Sequence, residues 1–121
     1  MKRDMELIRK ILLAVEGSPG GWALAELKIN GYTEAQTWYH KYLLVDAGLA
    51  IGVDMAVDQS PAPEYVLRSL TWAGHEFLDA ARDDTRWKRA MKLVEEKGGA
   101  VTLGVLQGLL VAAMKSALNL P

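Results

Sequence analysis

The sequence predicts an α+β fold, mainly helical, and three observations predict it. Apolar residues recur at helical spacing near both ends, one central segment alternates strictly as a strand does, and Gly/Pro clusters separate the segments. The length of 121 residues fits one domain spanning 1–121, with residues 1–70 as one part and additional C-terminal helices in 71–121. Hydrophobic residues make up 50% and charged residues 24%, enough apolar surface to exclude intrinsic disorder.

Met5, Ile8, Leu12 and Val15 form a helical stripe flanked by Leu7 and Ile11, with Glu6, Arg9 and Lys10 on the other side. This predicts an amphipathic helix from Arg3 to Glu16, ended by Gly17-Ser18-Pro19-Gly20-Gly21. Between Trp22 and Asn30, Ala25, Leu27 and Ile29 alternate with Glu26, Lys28 and Asn30, which favours a short strand over a short helix. Thr33-Glu34-Ala35-Gln36 is a capping box, opening a helix that runs to Ala47. Gly48 supplies the left-handed stop. Leu49, Ile51, Val53, Met55 and Val57 then alternate with Ala50, Gly52, Asp54, Ala56 and Asp58, the clearest strand in the chain. Gln59 to Pro63 turns it, and Glu64 to Leu70 returns antiparallel. Thr71 caps a third helix ending near Arg82, in which Gly74 allows close approach to another backbone. The apolar phase slips at Asp83-Asp84-Thr85, so a fourth helix carries Trp87, Met91 and Val94 and closes at Lys97-Gly98-Gly99. The fifth, from Thr102 to Leu118, has one charge, Lys115, which predicts burial on nearly every side.

The absence of cysteine removes disulfide scaffolds, thiolate zinc sites and cysteine nucleophiles together. Charged residues interrupt the N-terminal apolar run, and the most apolar stretch, Ala100 to Met114, falls short of the ~20 residues that span a bilayer. We therefore expect a cytoplasmic protein with no membrane contact. Lys plus Arg number 14 against 15 Asp plus Glu, a net charge of -1, so composition lacks the basic excess of a DNA-coating protein. Residues 1–60 carry 6 cations and 8 anions, and residues 61–121 carry 8 and 7. No phosphate loop, nucleophile elbow or zinc-ligand spacing occurs, so no catalytic residue, cofactor or metal is expected.

The order helix, extended segment, helix, hairpin, helices is close to a degenerate winged helix-turn-helix with a two-stranded wing. The stretch NGYTEAQTWYHKYLLVDAGLAIG resembles the second half of bacterial helix-turn-helix repressors, and LTWAGHEFLD the segment after their wing. With MKRDMELIRKILLAVE and ARDDTRWK, these phrases resemble a family of small phage and prophage proteins classed as a domain of unknown function. The resemblance implies a phage-type binding protein with duplex DNA as its ligand, or a host or phage protein as the alternative partner. In DNA-reading relatives the positions of Thr37, Lys41 and Leu44 are apolar and face inward. Two of them are polar here, which predicts a rotated helix that buries Ala35, Tyr39, Tyr42 and Leu43 and exposes Glu34, Thr37 and Lys41.

Four groups of residues are candidates for binding. Gln36, Thr37, His40 and Lys41 lie on the helix that would enter a major groove, where Gln and Thr bond base edges and Lys contacts phosphate or guanine. Against this, a capped and solvated helix face explains the same pattern. Arg86, Lys88, Arg89 and Lys92 surround Trp87 and could contact phosphates, each adding about -0.9 to the salt slope, although Trp87 itself suits a core anchor with a solvated face opposite. His75, Asp79 and Asp83 recur at i, i+4 and i+8, a spacing better explained by a structural histidine than by a metal. Gly104, Gly108, Ala112 and Ser116 recur every four residues and predict a homodimer interface.

Overall fold

In the computed structural model, which describes residues 1–19, 27–57 and 64–121, the chain runs α1 (Met5–Glu16), α2 (Glu34–Asp46), β1 (Ala50–Asp54), β2 (Tyr65–Leu70), α3 (Trp72–Ala81), α4 (Asp84–Glu96) and α5 (Leu103–Ala117). The α+β, mainly helical class expected from sequence is the observed one. The chain divides into two compact units, Met1–His75 and Glu76–Pro121. The strand expected over 22–30 falls mostly outside the described residues, and positions 27–29 carry no regular structure.

In the first unit, the carboxylate of Asp4 caps α1 by accepting from the amides of Glu6 (2.9 Å) and Leu7 (3.2 Å). Such a cap satisfies donors that have no partner inside the helix. The stripe of Met5, Ile8, Leu12 and Val15 is buried together with Leu7 and Ile11. Arg9, expected on the solvent side, is buried as well, so the helix is enclosed over more than its apolar face. α1 packs against α2 and β2, and α2 against both strands. The capping box forms in both directions: Gln36 N–H donates to Thr33 Oγ1 (3.1 Å), and Thr33 N–H donates to Gln36 Oε1 (2.8 Å).

The antiparallel hairpin forms where the alternation placed it, with β1 over Ala50–Asp54 and β2 over Tyr65–Leu70. β1 turns Ala50 and Gly52 inward, while Ile51, Val53, Met55 and Val57 are between 43% and 77% exposed. The reason is space. A Cβ on Gly52 would lie 3.0 Å from a Val45 methyl and 3.2 Å from Leu67 and Tyr65, so this face of β1 admits only the smallest side chains. On β2 the register jumps between Ile51↔Ser69 and Gly52↔Leu67, leaving Arg68 as the extra residue of a bulge. Leu67 and Leu70, three positions apart, are thereby both buried. Without the bulge, strand alternation would put them on opposite faces.

Gly48 takes a left-handed φ of 74°, as its place after α2 requires. Thr71 then ties the hairpin to the start of α3: its hydroxyl donates to Gly48 O (2.6 Å) and accepts from Gly74 N–H (3.0 Å), and its amide donates to Leu49 O (3.1 Å). Gly74 comes so close to the Leu49 carbonyl that any Cβ would overlap it.

In the second unit, Asp83 caps α4 through the Arg86 amide (2.8 Å) and Thr102 caps α5 through the Val105 amide (3.2 Å). Trp87 and Val94 are buried from α4. α5 departs from expectation, since only Leu106 and Leu110 are buried and Val105 is exposed. A helix nearly free of charge is thus half open to its surroundings.

Candidate functional site

The would-be reading residues of α2 face inward. Thr37, His40, Lys41 and Leu44 are its buried positions, whereas Glu34 and Ala35 are exposed and Tyr39, Tyr42 and Leu43 are half-buried. The rotation predicted from the polarity of Thr37 and Lys41 does not occur. The reason is that the polar groups find uses inside.

The Thr37 hydroxyl donates to Thr33 O (3.1 Å). His40 has Nδ1 2.7 Å from Gln36 O and Nε2 2.8 Å from the Asp4 amide. A carbonyl only accepts and an amide N–H only donates, so the proton sits on Nδ1 and Nε2 accepts. His40 therefore joins α2 to the N-cap of α1. It is a structural histidine, packed edge-on against Tyr39. Gln36 holds the capping box. Neither His40 nor Thr37 is placed to touch a base.

Tyr32 completes this node. Burial, together with the charge of Asp4 and a hydrogen bond to it, raises the phenol above its ordinary value of 10.0, and Lys10 Nζ lies 5.5 Å from the ring centroid. Tyr39 stacks on Tyr42 and Tyr42 on Tyr65, joining α2 to the hairpin through successive rings 6.2 Å apart.

Lys41 is different, because it is 7% exposed and has no hydrogen bond or ion pair among the described residues. Burial lowers the affinity of its amine for a proton, and the charges of Glu34 and Glu64 work against that lowering. The side chain lines a cleft of about 680 Å³ between residues 27–32, α2 and the hairpin. Tyr32, Trp38 and Tyr65 give it aromatic walls, Leu27, Ile29, Met55 and Val66 apolar ones, and Glu34 and Glu64 acidic ones. Sequence reasoning named Lys41 on an exposed helix face, whereas it is buried beside this cleft, and Tyr32, Trp38, Glu64 and Tyr65 were not among the site residues it named. Only Glu34 and Trp38, at helical spacing from Lys41, left a local signal.

In the second unit, Lys88, Arg89 and Lys92 are exposed on α4 and Arg86 is half-buried, its Nε without a partner among the described residues. Arg86 and Arg89 border a groove of about 570 Å³ between α4 and α5 that includes Leu93, Leu109 and Ser116. Gly104, Gly108, Ala112 and Ser116 are all exposed, and a Cβ on either glycine would meet nothing within 4 Å. Asp79 pairs with Arg82 (2.8 Å) and Asp83 caps α4, so two of the i, i+4, i+8 set are otherwise engaged, and His75 is exposed. Among the described residues no three acidic or histidine side chains form a metal-sized group, and no helix is long and apolar enough to cross a membrane.

Residues 2–100 match the family described as hypothetical protein (DUF2513). A relative in Haemophilus influenzae, titled uncharacterized protein, is 36% identical over 110 residues, covering 88% of this chain and 90% of its own length. No solved structure matches the chain. A match of this extent places the protein in the DUF2513 family.

Proposed function

We propose that the protein acts by binding another protein through the outer face of its hairpin, on a winged-helix-like scaffold whose reading surface is not built for DNA. The observation that carries this reading is the row Ile51, Val53 and Val57, exposed on the wing with no cation among them. A contiguous apolar surface on a small two-stranded sheet costs solubility unless a partner covers it. The inward turn of Thr37, His40 and Lys41 supports the same reading, because α2 then presents to solvent no cation of its own. The order of helix, helix, antiparallel hairpin and helix supports the winged-helix scaffold, and with it the cytoplasmic, phage or prophage setting that the sequence resemblance implies. The exposed stripe of Gly104, Gly108, Ala112 and Ser116 supports a homodimer through α5 as part of the proposal.

A second reading has its own observation: Lys88, Arg89 and Lys92 stand exposed on one helix, as phosphate contacts would. One experiment separates the two. Tagged protein and an Ile51→Thr/Val53→Thr variant are recovered from host cells after cross-linking and nuclease treatment, and both are titrated against duplex DNA at low salt. Protein binding predicts a nuclease-resistant partner lost in the variant, and no shift of DNA. A DNA shift that weakens with salt and disappears on replacing Lys88, Arg89 and Lys92 by Ala would overturn it in favour of nucleic acid.

A further inference from the structure

α4 and α5 pack side by side, and the groove of about 570 Å³ between them has an uneven make-up. From α4 it takes Arg86, Arg89, Ala90 and Leu93, and from α5 Leu109, Ala113 and Ser116. Each set recurs at intervals of three and four residues, so each helix gives the groove one continuous face about two turns long. Leu93 is 42% exposed, and Leu109 and Ala113 are half-buried. The small residues Ala90, Ala113 and Ser116 leave room for another backbone to come close. The charges are unbalanced as well. Two guanidinium groups line the groove against one carboxylate, that of Asp83, which accepts from the Arg86 amide at 2.8 Å. Arg86 Nε is buried and has no hydrogen-bond partner among the described residues, and an arginine cannot shed such a donor by losing its proton.

An apolar floor flanked by two cations suits anionic groups carried on an apolar body. Duplex DNA offers phosphates but no apolar stripe for Leu93 and Leu109, and the exposed Lys88 and Lys92 do not line the groove. A small anion would engage the arginines and leave the leucines uncovered. A second copy of α5 brings one charge, Lys115, and no acid. We propose that the α4–α5 groove receives an amphipathic helix of a partner protein, with its apolar stripe on Leu93, Leu109 and Ala113 and two carboxylates one turn apart paired with Arg86 and Arg89. The two arginines stand three residues apart on α4, and that spacing sets the spacing of the acids. The inference stands on the second unit alone and is independent of the protein-binding reading of the hairpin.

The test selects a displayed library of helical peptides about 16 residues long, or about 24 Å, against the full-length protein. Leu or Ile is fixed at helical spacing, and Asp, Glu, Gln, Lys or Arg is allowed at every flanking position. The expected winners carry two acids three or four residues apart. In NMR titrations the best of them shifts the Nε–H signals of Arg86 and Arg89 and the methyl signals of Leu93 and Leu109 saturably. Replacing its two acids with Gln weakens binding at least about tenfold, as loss of charged hydrogen bonds requires. That comparison uses the unaltered protein and is therefore independent of any variant's folding. Arg86→Gln with Arg89→Gln removes the preference for the acidic peptide over its Gln counterpart. The proposal is overturned if no peptide is enriched, if neutral or basic peptides win, if the winner leaves the four signals in place, or if the acidic and Gln peptides bind alike. It is overturned in favour of nucleic acid if duplex DNA at low salt, and not the peptide, moves these signals, and in favour of a second copy if protein concentration alone moves them.

Discussion

Replacing Gly74 with alanine tests the joint between hairpin and α3. Three effects compete at this position. Alanine is the better helix former, by up to about 1 kcal/mol. Its Cβ, however, would overlap the Leu49 carbonyl oxygen and lie 3.0 Å from the Leu49 carbonyl carbon and 3.3 Å from Leu70 Cβ. The first two atoms are backbone and cannot rotate away. Relief requires displacing Leu49, whose carbonyl accepts the Thr71 amide at 3.1 Å. Overpacking of this kind costs about 1–3 kcal/mol and the weakened hydrogen bond about 1 more. The net expectation is a loss of about 1–3 kcal/mol, or a fall in Tm of about 4–8 °C for each kcal/mol in a unit of this size. Thermal and urea denaturation read it directly. Gly108→Ala is the internal control: it lies within α5, a Cβ there meets nothing within 4 Å, and the same substitution is expected to stabilise by about 0.5–1 kcal/mol when measured on dilute protein. Should Gly74→Ala equal or exceed the unaltered protein in stability, the close approach argued from Leu49 is wrong.

Three further outcomes follow from the buried polar groups. His40→Leu keeps the volume but leaves the Asp4 N–H without its acceptor, a loss of about 1–3 kcal/mol in urea denaturation, and a change below about half a kcal/mol would remove His40 from its structural role. For Lys41 the folded amine loses its proton at a lower pH than the unfolded one, whose ordinary value is 10.5. The penalty for burying its charge is therefore fully present at neutral pH and relieved as pH rises toward 10.5, so the unaltered protein should gain stability relative to Lys41→Met across the alkaline range, and a difference that does not move with pH contradicts the burial. Tyr32 has the opposite sign: its raised phenol contributes stability that is complete below pH 10.0 and lost as pH climbs through the folded value, so Tyr32→Phe should flatten the alkaline decline measured by circular dichroism.

What was legible in the sequence was local. The capping box at Thr33 and Gln36, the caps at Asp83 and Thr102 and the left-handed Gly48 each depend on residues a few positions apart, and all are present. The facing of α2 was not legible, because polarity alone argued that Thr37 and Lys41 point outward. Thr37 is satisfied one turn back along its own helix, a bond that hydroxyls in helices readily make. His40 is satisfied from another element, 36 residues away in the chain. No period in the sequence announces a partner at that distance. The cleft was invisible for the same reason, being assembled from a loop, a helix and a hairpin.

Two elements, the misread α2 and the correctly expected β1, bear on function together. α2 turns Thr37, His40 and Lys41 inward, and β1 turns Ile51 and Val53 outward because Gly52 faces Val45 with no space for more. In an ordinary half-buried hairpin the larger apolar residues would take the inner face. Reversing β1 by one residue would put them there, but it would bring Ile51 or Val53 into the position that Val45, Leu67 and Tyr65 leave only for glycine. The core therefore fixes the phase, and the outward apolar row is a consequence the fold cannot avoid while Gly52 and Val45 pack as they do. A Gly52→Ala change sharpens this: with neighbours at 3.0–3.2 Å, all of them side chains, a methyl fits only if they yield by a few tenths of an ångström. Loss of stability with retained partner binding would separate the packing that sets the phase from the surface that the phase exposes.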